Sequence, residues 1–332
     1  MIEVKNLTKK YGELTAVDDL SFTIEKGKIY GLLGPNGAGK STTMNMITGC
    51  LSMTSGSVTV NGHDILKSPE KAKRCIGYLP EIPPLYTDMT PYEYLLFVAE
   101  AKGVRKERAE RQAIEAMKLT GLTENEDRLI RNLSKGYRQR VGIAQAMLGN
   151  PDVIILDEPT VGLDPKQQVE IRDLIRRLGE VKTVILSSHI LSEIRAVCDH
   201  ILIISHGRVV ANDTIENLES EGNRDASIAL EIKGSQDDVK ALLASIPEVR
   251  SFTATAGKCP NTVAVRAEAS KGTDPREAIF TACAEKRMPL LKMDVTEIRL
   301  EDIFLRLTSD APDTGADTPE TDAEADGKEE TL

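Results

Sequence analysis

The chain has 332 residues, of which 40% are hydrophobic and 28% are charged, a composition typical of a globular protein with one or two domains. The formal net charge of −10 is concentrated near the C-terminus, where residues 309–332 hold nine acids and one lysine; the rest of the chain has 43 acids against 41 bases. A nearly neutral body without a dense Lys/Arg run argues against nucleic-acid binding, and we expect no nucleic-acid partner.

Cysteine usage and hydropathy indicate the cellular compartment. Five cysteines are spread along the chain without a CxxC pair, which predicts reduced thiols rather than disulfides or a metal site. The N-terminal sequence MIEVKNLTKKYG is not that of a signal peptide, and no apolar run approaches the roughly 20 residues that a membrane helix needs. We therefore expect an intracellular protein that acts at a membrane only through the helices of another protein.

The first part of the sequence predicts short strands and one helix. Alternating apolar residues favour strands over residues 2–33, and the last of these is the apolar run Ile29–Leu33. A glycine-rich turn follows, and then a helix over residues 40–49. A further strand over Ser57–Val60 ends in an Asn61-Gly62 turn signal.

A helical region is predicted from about Thr90 to Leu133. Thr90 is the expected N-cap, and Pro91 stands at the first helical position, where its missing N–H costs nothing. Beyond this region strand and helix alternate, which predicts a mainly parallel sheet flanked by helices. The alternating elements are strand Val153–Leu156, helix 165–178, strand Val184–Leu186, helix 190–198 and strand Ile201–Ser205.

A second unit is predicted over residues 223–308. Its order of strand, helix, strand, strand, helix and strand is typical of a small ferredoxin-like α+β domain. A short helix over Leu300–Leu307 is expected to close this unit, and residues 309–332 have the composition of a disordered acidic tail. The predicted elements are Ser227–Ile232, 236–245, Val249–Ala254, Thr262–Ala267, 275–287 and Leu290–Val295.

A phosphate-binding loop is predicted over residues 34–41, which read GPNGAGKS and fit the pattern G-x-x-x-x-G-K-[ST] between a strand and a helix. Glycines let successive backbone N–H groups point at phosphate oxygens, and the helix N-terminus adds a field that favours anions. Lys40 would reach the β- and γ-phosphates, and the Ser41 hydroxyl would bind Mg²⁺. The nucleotide-binding residues predicted here are Gly34, Pro35, Asn36, Gly37, Ala38, Gly39, Lys40, Ser41 and Thr42.

Two carboxylates follow a predicted buried strand. Val153–Leu156 is apolar throughout, and Asp157 and Glu158 stand at its carboxyl end, where open α/β sheets bind ligands. Asp157 would hold Mg²⁺, directly or through water, and Glu158 would orient and deprotonate the attacking water. With the phosphate loop, these residues predict a nucleoside triphosphatase but not its kind.

The stretch LSKGYRQR over residues 133–140 indicates the kind of nucleoside triphosphatase. It resembles the signature of the ABC ATPases, usually written LSGGQ, with Lys and Tyr in place of the commoner Gly and Gln. The resemblance covers about residues 1–215 and implies that Ser134 and Gly136 contact the γ-phosphate bound by the opposite subunit. A helix start with a Ser cap suits phosphate capture. A P-loop kinase or GTPase would leave this stretch unexplained.

Further residues match the family one by one. Tyr11 resembles the aromatic that stacks on adenine, and His189 resembles the histidine that contacts the γ-phosphate. Val161–Pro165 resembles the loop that couples the two subunits. Glu81 stands where the family usually has Gln, and we expect it to bind Mg²⁺ with an altered pH and metal dependence. The resemblance thus implies a catalytic set of Glu158, His189 and Lys40, and metal ligands Ser41, Asp157 and Glu81.

The resemblance also implies the fold. It is α/β: a P-loop NTPase ABC cassette over residues 1–222, with a RecA-like core, an N-terminal antiparallel β subdomain and a helical subdomain over about residues 82–150. The ferredoxin-like domain would follow. Two cassettes, identical or similar, would form a head-to-tail dimer that binds two ATP molecules with Mg²⁺ at its interface.

The expected partner is an integral membrane permease. The runs GYLPEIPPLY (residues 77–86), LSKGYRQR and LEDIFLRLT (residues 300–308) resemble ATPases that serve type-2 ABC permeases, a group with gliding-motility-associated, copper-processing and multidrug exporters. We therefore expect a cytoplasmic ATPase, peripheral on the inner face of the plasma membrane, that powers export. The alternative is a soluble non-transport ABC ATPase acting on a macromolecular complex, although one cassette without a long insertion disfavours the translation and repair types.

Overall fold

A computed structural model describes residues 1–223, 227–257, 259, 261–270, 273–296 and 300–309. The tail beyond Ser309, for which the composition predicts disorder, lies outside the described residues.

The strands are β1 (Ile2–Tyr11), β2 (Leu14–Ile24), β3 (Ile29–Leu33), β4 (Ser55–Val60), β5 (His63–Asp64), β6 (Ile76–Leu79), β7 (Val153–Leu156), β8 (Thr183–Ser188), β9 (His200–Ser205), β10 (Arg208–Thr214), β11 (Ser227–Lys233), β12 (Val249–Ala256), β13 (Thr262–Ala269) and β14 (Leu290–Thr296). The helices are α1 (Lys40–Ile47), α2 (Pro69–Arg74), α3 (Pro91–Ala101), α4 (Lys106–Thr120), α5 (Lys135–Met147), α6 (Pro165–Gly179), α7 (Leu191–Val197), α8 (Ile215–Asn223), α9 (Gln236–Ala244), α10 (Arg276–Glu285) and α11 (Leu300–Ser309).

The central sheet of the N-terminal part (residues 1–223) has six strands in the order β10-β9-β3-β8-β7-β6. Neighbours pair in parallel except β10, which pairs antiparallel with β9 at one edge. The strands β3, β7 and β8 are buried along their whole length, as expected when both faces of a sheet are covered. The predicted parallel alternation is confirmed, and the carboxyl ends of β3, β6, β7 and β8 share one edge.

A second sheet is antiparallel and has the order β2-β1-β4-β5. Its strands β1 and β2 form a long hairpin that closes between Tyr11 and Leu14. Alternate residues of the hairpin point into a buried cluster that includes Met44 and Ile47 of α1. This packing brings the backbone of Ala16 against the loop that precedes α1.

The helical region between β6 and β7 begins as predicted. Thr90 Oγ1 accepts a hydrogen bond from the backbone N–H of Glu93 at 3.3 Å, and Glu93 Oε2 accepts from the backbone N–H of Thr90 at 2.9 Å. Pro91 follows the cap, which completes a capping box at the start of α3. Helices α3, α4 and α5 enclose their own buried cluster. Within the described part of the chain, no helix combines the length and the apolar character needed to cross a bilayer.

The C-terminal unit (residues 227–296) contains a third sheet, with the order β12-β13-β11-β14 and antiparallel pairing throughout. Helices α9 and α10 lie between its strands in the sequence, so the predicted β-α-β-β-α-β order is confirmed. This strand order is that of a ferredoxin-like sheet. Val239, Leu242 and Ile279 of the two helices pack with Leu230 and Val265 of the sheet in a separate buried cluster.

The last described helix, α11, does not close the C-terminal unit as the sequence suggested. Leu300 is fully buried in the N-terminal part, in a cluster with Ile203 of β9 and Leu218 of α8. Phe304 and Leu307 pack against the same cluster. The prediction of a helix was correct, but its assignment to the C-terminal unit was wrong, because an amphipathic pattern shows which face is buried and not what buries it.

Leu300→Ala tests this packing. We expect it to lower the free energy of unfolding of the N-terminal part by about 2–5 kcal/mol, because it leaves a cavity in a closed cluster. Calorimetric unfolding of the full chain measures the effect. Leu305→Ala on the same helix is the matched control, since Leu305 is 61% exposed. Equal effects of the two substitutions would contradict the packing of α11 on the N-terminal part.

Candidate functional site

The loop between β3 and α1 needs glycine at defined positions. A Cβ atom on Gly34 would overlap the carbonyl oxygen of Ile204, and one on Gly39 would lie 2.6 Å from the carbonyl oxygen of Ala16. Gly39 also has φ = 101°, in the left-handed region that side chains disfavour. The backbone N–H of Gly207 donates to the carbonyl of Ala38 at 3.0 Å. Close backbone contacts from β2 and from the β9–β10 turn therefore hold the loop in shape.

Lys40 is buried at the start of α1 and turns back onto this loop. Its Nζ donates to the carbonyl oxygens of Gly34 at 2.8 Å and Pro35 at 3.1 Å. It also lies 4.0 Å from Glu158 Oε1. Burial lowers the pKa of Lys40, and the charges of Glu158, Asp157 and Glu81 oppose this shift. The ammonium is thus held by carbonyl oxygens that a phosphate can replace.

Asp157 lies at the carboxyl end of β7 and is almost fully enclosed. Its Oδ1 accepts hydrogen bonds from Ser187 Oγ at 2.5 Å and from Ser41 Oγ at 3.2 Å. The predicted metal ligands Ser41 and Asp157 are therefore adjacent. Carboxylate and hydroxyl oxygens are the hard ligands that Mg²⁺ prefers, so this pair fits that ion.

Glu158 contacts His189. The His189 Nδ1 lies 3.0 Å from Glu158 Oε2 and 3.1 Å from Oε1. Glu158 has φ = 46°, which costs a non-glycine residue about 1–3 kcal/mol and persists only when neighbouring contacts enforce it. One such contact is the hydrogen bond from the Glu158 backbone N–H to Ser187 Oγ at 2.8 Å. In this backbone conformation the Glu158 carboxylate lies beside the histidine ring.

Lys40, Glu158 and His189 line a cavity of about 510 Å³ at the carboxyl edge of the sheet. Ala16 and Val161 line it although the sequence did not single them out as ligands. A larger cavity, of about 880 Å³, lies between α4 and the end of α6 and is lined by none of the predicted nucleotide-binding, catalytic or metal-binding residues. The residues lining the smaller cavity are Ala16, Asn36, Gly37, Ala38, Gly39, Lys40, Ser41, Thr42, Glu81, Glu158, Val161 and His189.

Five predicted nucleotide-binding residues do not line this cavity: Gly34 and Pro35, at the start of the phosphate loop, and Tyr11, Ser134 and Gly136. Tyr11 stands at the tip of the β1–β2 hairpin, 48% exposed, with Lys9 Nζ 5.0 Å from its ring centroid. Ser134 caps α5, and its Oγ accepts from the backbone N–H of Tyr137 at 3.4 Å. Gly136 packs so closely on the Gln167 side chain that a Cβ would overlap it. Within the described part of one chain, Tyr11, Ser134 and Gly136 are thus absent from the lining of the cavity.

Comparison with known proteins decides the family. The sequence profile described as "ABC transporter" matches residues 17–161. The linearmycin resistance ATP-binding protein LnrL of Bacillus subtilis (strain 168) is 35% identical over 311 residues, which are 93% of this chain and 98% of that protein. The chain belongs to the ATP-binding proteins of ABC transporters. It is therefore an ABC ATPase.

Two further comparisons extend this result. The bacitracin transport ATP-binding protein BcrA of Bacillus licheniformis is 33% identical over 309 residues, which are 92% of this chain and 97% of that protein. A solved dimeric ATP-binding cassette, bound to ADP and Pi in a post-hydrolysis state, is 28% identical with a TM-score of 0.59 and covers 64% of this chain and 98% of its own. The ABC ATPase thus shares its cassette fold with an enzyme seen after hydrolysis.

Glu81→Gln should change the pH dependence of this ABC ATPase in a defined direction. Lys40 must be protonated to bind phosphate, and the Glu81 charge raises its pKa. Removing that charge lowers the pKa of Lys40, so the alkaline fall of kcat/KM should begin at a lower pH. Steady-state kinetics across the alkaline range measure this shift. Glu180→Gln, an exposed change outside the site, is the control. An unchanged alkaline limb, or one moved to higher pH, would contradict the coupling.

Proposed function

We propose that this ABC ATPase hydrolyses ATP with Glu158 as general base and uses the energy to drive export by a separate membrane permease. The contact between Glu158 and His189, at 3.0 Å beside the buried Lys40, is the observation that carries this proposal. A carboxylate held at hydrogen-bonding distance from a second polar group is oriented to accept a proton. The enclosing loop supplies backbone N–H groups for phosphate, so the reacting groups lie around one cavity.

Each side chain has a separate task in the proposed reaction. Lys40 exchanges its two loop carbonyls for β- and γ-phosphate oxygens. Ser41, Asp157 and Glu81 would hold Mg²⁺, which supplies positive charge to the phosphate oxygens. Glu158 accepts the proton of the attacking water, and His189 holds the Glu158 carboxylate and approaches the γ-phosphate.

The ATP site is proposed to be completed by a second cassette. Tyr11 would stack on adenine from its own chain, whereas Ser134 and Gly136 would contact the γ-phosphate in the partner's site. The absence of Ser134 and Gly136 from the cavity lining within one chain supports this arrangement, since the N-terminus of a helix capped by Ser134 is suited to bind a phosphate of another chain. The dimeric state of the similar cassette is further support.

The proposed domain division follows the buried clusters. An ABC cassette would span residues 1–222, with a helical subdomain over about 82–150, and would also include α11 (Leu300–Ser309), so that the accessory domain would span 223–299. Separate clusters in α3–α5 and in the C-terminal unit support these divisions. The packing of α11 on the N-terminal part supports its inclusion in the cassette.

An exposed apolar surface beside the site is the proposed contact with the permease. Ile82 is 82% exposed directly after Glu81, and Tyr86 packs edge-on against the half-exposed Phe97 of α3, with ring centroids 5.3 Å apart. Exposed clusters of large apolar side chains mark interaction sites. A type-2 permease bound here would hold the ATPase at the inner face of the plasma membrane and sense the ATP site through Glu81.

The names of two similar proteins support export as the direction of transport. The names of LnrL and BcrA refer to linearmycin resistance and bacitracin transport, and both proteins match this chain over almost their full lengths. A soluble ABC ATPase that acts on a macromolecular complex is the second candidate. The two candidates differ in what the chain binds in its own host.

Glu158→Gln should lower ATP hydrolysis by at least about 100-fold, because the amide cannot accept the proton of the water. ATP binding should persist, so the variant should accumulate as an ATP-bound dimer in size-exclusion chromatography with light scattering. Glu180→Gln serves as the control. Near-normal turnover of Glu158→Gln would remove Glu158 from the role of general base.

A tagged chain recovered from gently solubilised host membranes should bring a multi-helix membrane protein with it in stoichiometric amount. Phe97→Glu should reduce that recovery by about 10-fold or more, since it buries a charge in the contact. Val181→Glu is the control, because Val181 is 74% exposed before β8, at the opposite end of the sheet. Recovery of ribosomal or DNA-bound proteins without a membrane protein would favour the second candidate.

A further inference from the structure

Glu193 is a buried carboxylate that the mechanism above leaves unused. It lies in the first turn of α7, and only 6% of the residue is exposed. Among the residues that the structure describes, the other buried carboxylates are Asp157 and Glu158, both at the ATP site. An ionised carboxylate is costly to bury unless polar groups compensate it. The partners of Glu193 therefore indicate what it holds in place.

Two hydroxyl groups donate to the same oxygen of Glu193. Thr160 Oγ1 lies 2.7 Å from Glu193 Oε2, and Ser188 Oγ lies 2.9 Å from it. Ser188 Oγ in turn accepts from the backbone N–H of Ile190 at 3.0 Å. Thr160 and Ser188 are buried as well. Hydrogen bonds to a charged acceptor are short and strong, so this carboxylate fixes the two hydroxyls relative to each other.

The two hydroxyls belong to the chain segments that carry the Glu158–His189 pair. Thr160 follows Glu158 by two residues, and Ser188 immediately precedes His189. Three contacts join these segments: the direct one, where the carboxylate and imidazole are 3.0 Å apart, the hydrogen bond from the Glu158 backbone N–H to Ser187 Oγ, and the link through Glu193. Of these three, only the link through Glu193 holds the chain beyond Glu158, at Thr160, so it restrains a part of the segment that the other two contacts do not reach.

We propose that Glu193 is a positioning residue for ATP hydrolysis, an inference that rests on the function proposed above. It holds Thr160 and Ser188 at a fixed separation and thereby sets Glu158 against His189. Glu193 itself touches neither the nucleotide nor the attacking water. Its contribution is to the rate of hydrolysis and not to the affinity for ATP, because the phosphate loop shares none of its hydrogen bonds.

Glu193→Leu removes both acceptor oxygens. We expect kcat to fall by about 10-fold or more while KM for ATP stays within about 2-fold of the wild type, the pattern of a lost interaction in the transition state. Glu193→Gln keeps one carbonyl oxygen for the two hydroxyls and should recover most of the rate. Ser192→Ala, an exposed change in the same turn, is the matched control and should keep wild-type kinetics.

The deciding measurement repeats Glu193→Leu in the Glu158→Gln background. Because Glu193 acts through Glu158, the second substitution should lower the residual kcat by less than about 2-fold. A further fall of kcat by about 10-fold in the double variant would overturn the proposal. So would a folded Glu193→Leu protein that has wild-type kcat, or one whose kcat/KM falls because KM rises. Near-normal turnover of Glu158→Gln alone would instead overturn the proposed general base, which separates the two failures.

Thr160→Val provides a second route to the same contact if Glu193→Leu does not fold. It removes one donor and leaves the carboxylate in place. The proposal would be supported if Thr160→Val lowers kcat in the wild-type background but has no further effect on kcat in the Glu158→Gln background. Wild-type kcat in Thr160→Val would overturn it.

Discussion

The arrangement of this site depends on the mutual compensation of charged groups that are buried in it. The Lys40 ammonium lies beside the carboxylate of Glu158, close to that of Asp157, at a depth where an uncompensated charge would be costly. Three separate elements contribute compensating groups. The phosphate loop contributes carbonyl oxygens to Lys40, the two acids follow β7 directly, and Ser187 of β8 donates a hydrogen bond to Asp157. The parallel register of β3, β7 and β8 is therefore a functional requirement, because a shift of one residue would separate these groups.

Much of this arrangement could be predicted because its signals are local. The glycines and Lys40 of the phosphate loop are adjacent in sequence, and the apolar run before Asp157 describes a strand buried on both faces. The Thr90 cap and its Glu93 partner lie within one turn. The strand and helix order of the C-terminal unit also follows from local periodicity, and the sheet order is the one that this alternation favours.

The contacts between distant segments could not be predicted in the same way. Ser187 joins Asp157 and the backbone of Glu158 through one hydroxyl, yet a serine after an apolar strand carries no signal of such a role. Ala16 lines the cavity only because the β1–β2 hairpin packs on α1. The placement of α11 failed for a related reason, since its apolar face fits any complementary surface. These features depend on tertiary packing, which a one-dimensional pattern does not contain.

The pairing of α8 with α11 changes how the C-terminal unit is connected. Both helices pack in the same buried cluster of the N-terminal part, one before and one after residues 227–296. The unit is thus topologically an insertion, although in the sequence it reads as an extension. A single proteolytic cut inside it would release neither fragment, because each remains anchored by its own helix. A displacement of the unit would therefore act on the N-terminal part through two neighbouring helices, α8 and α11.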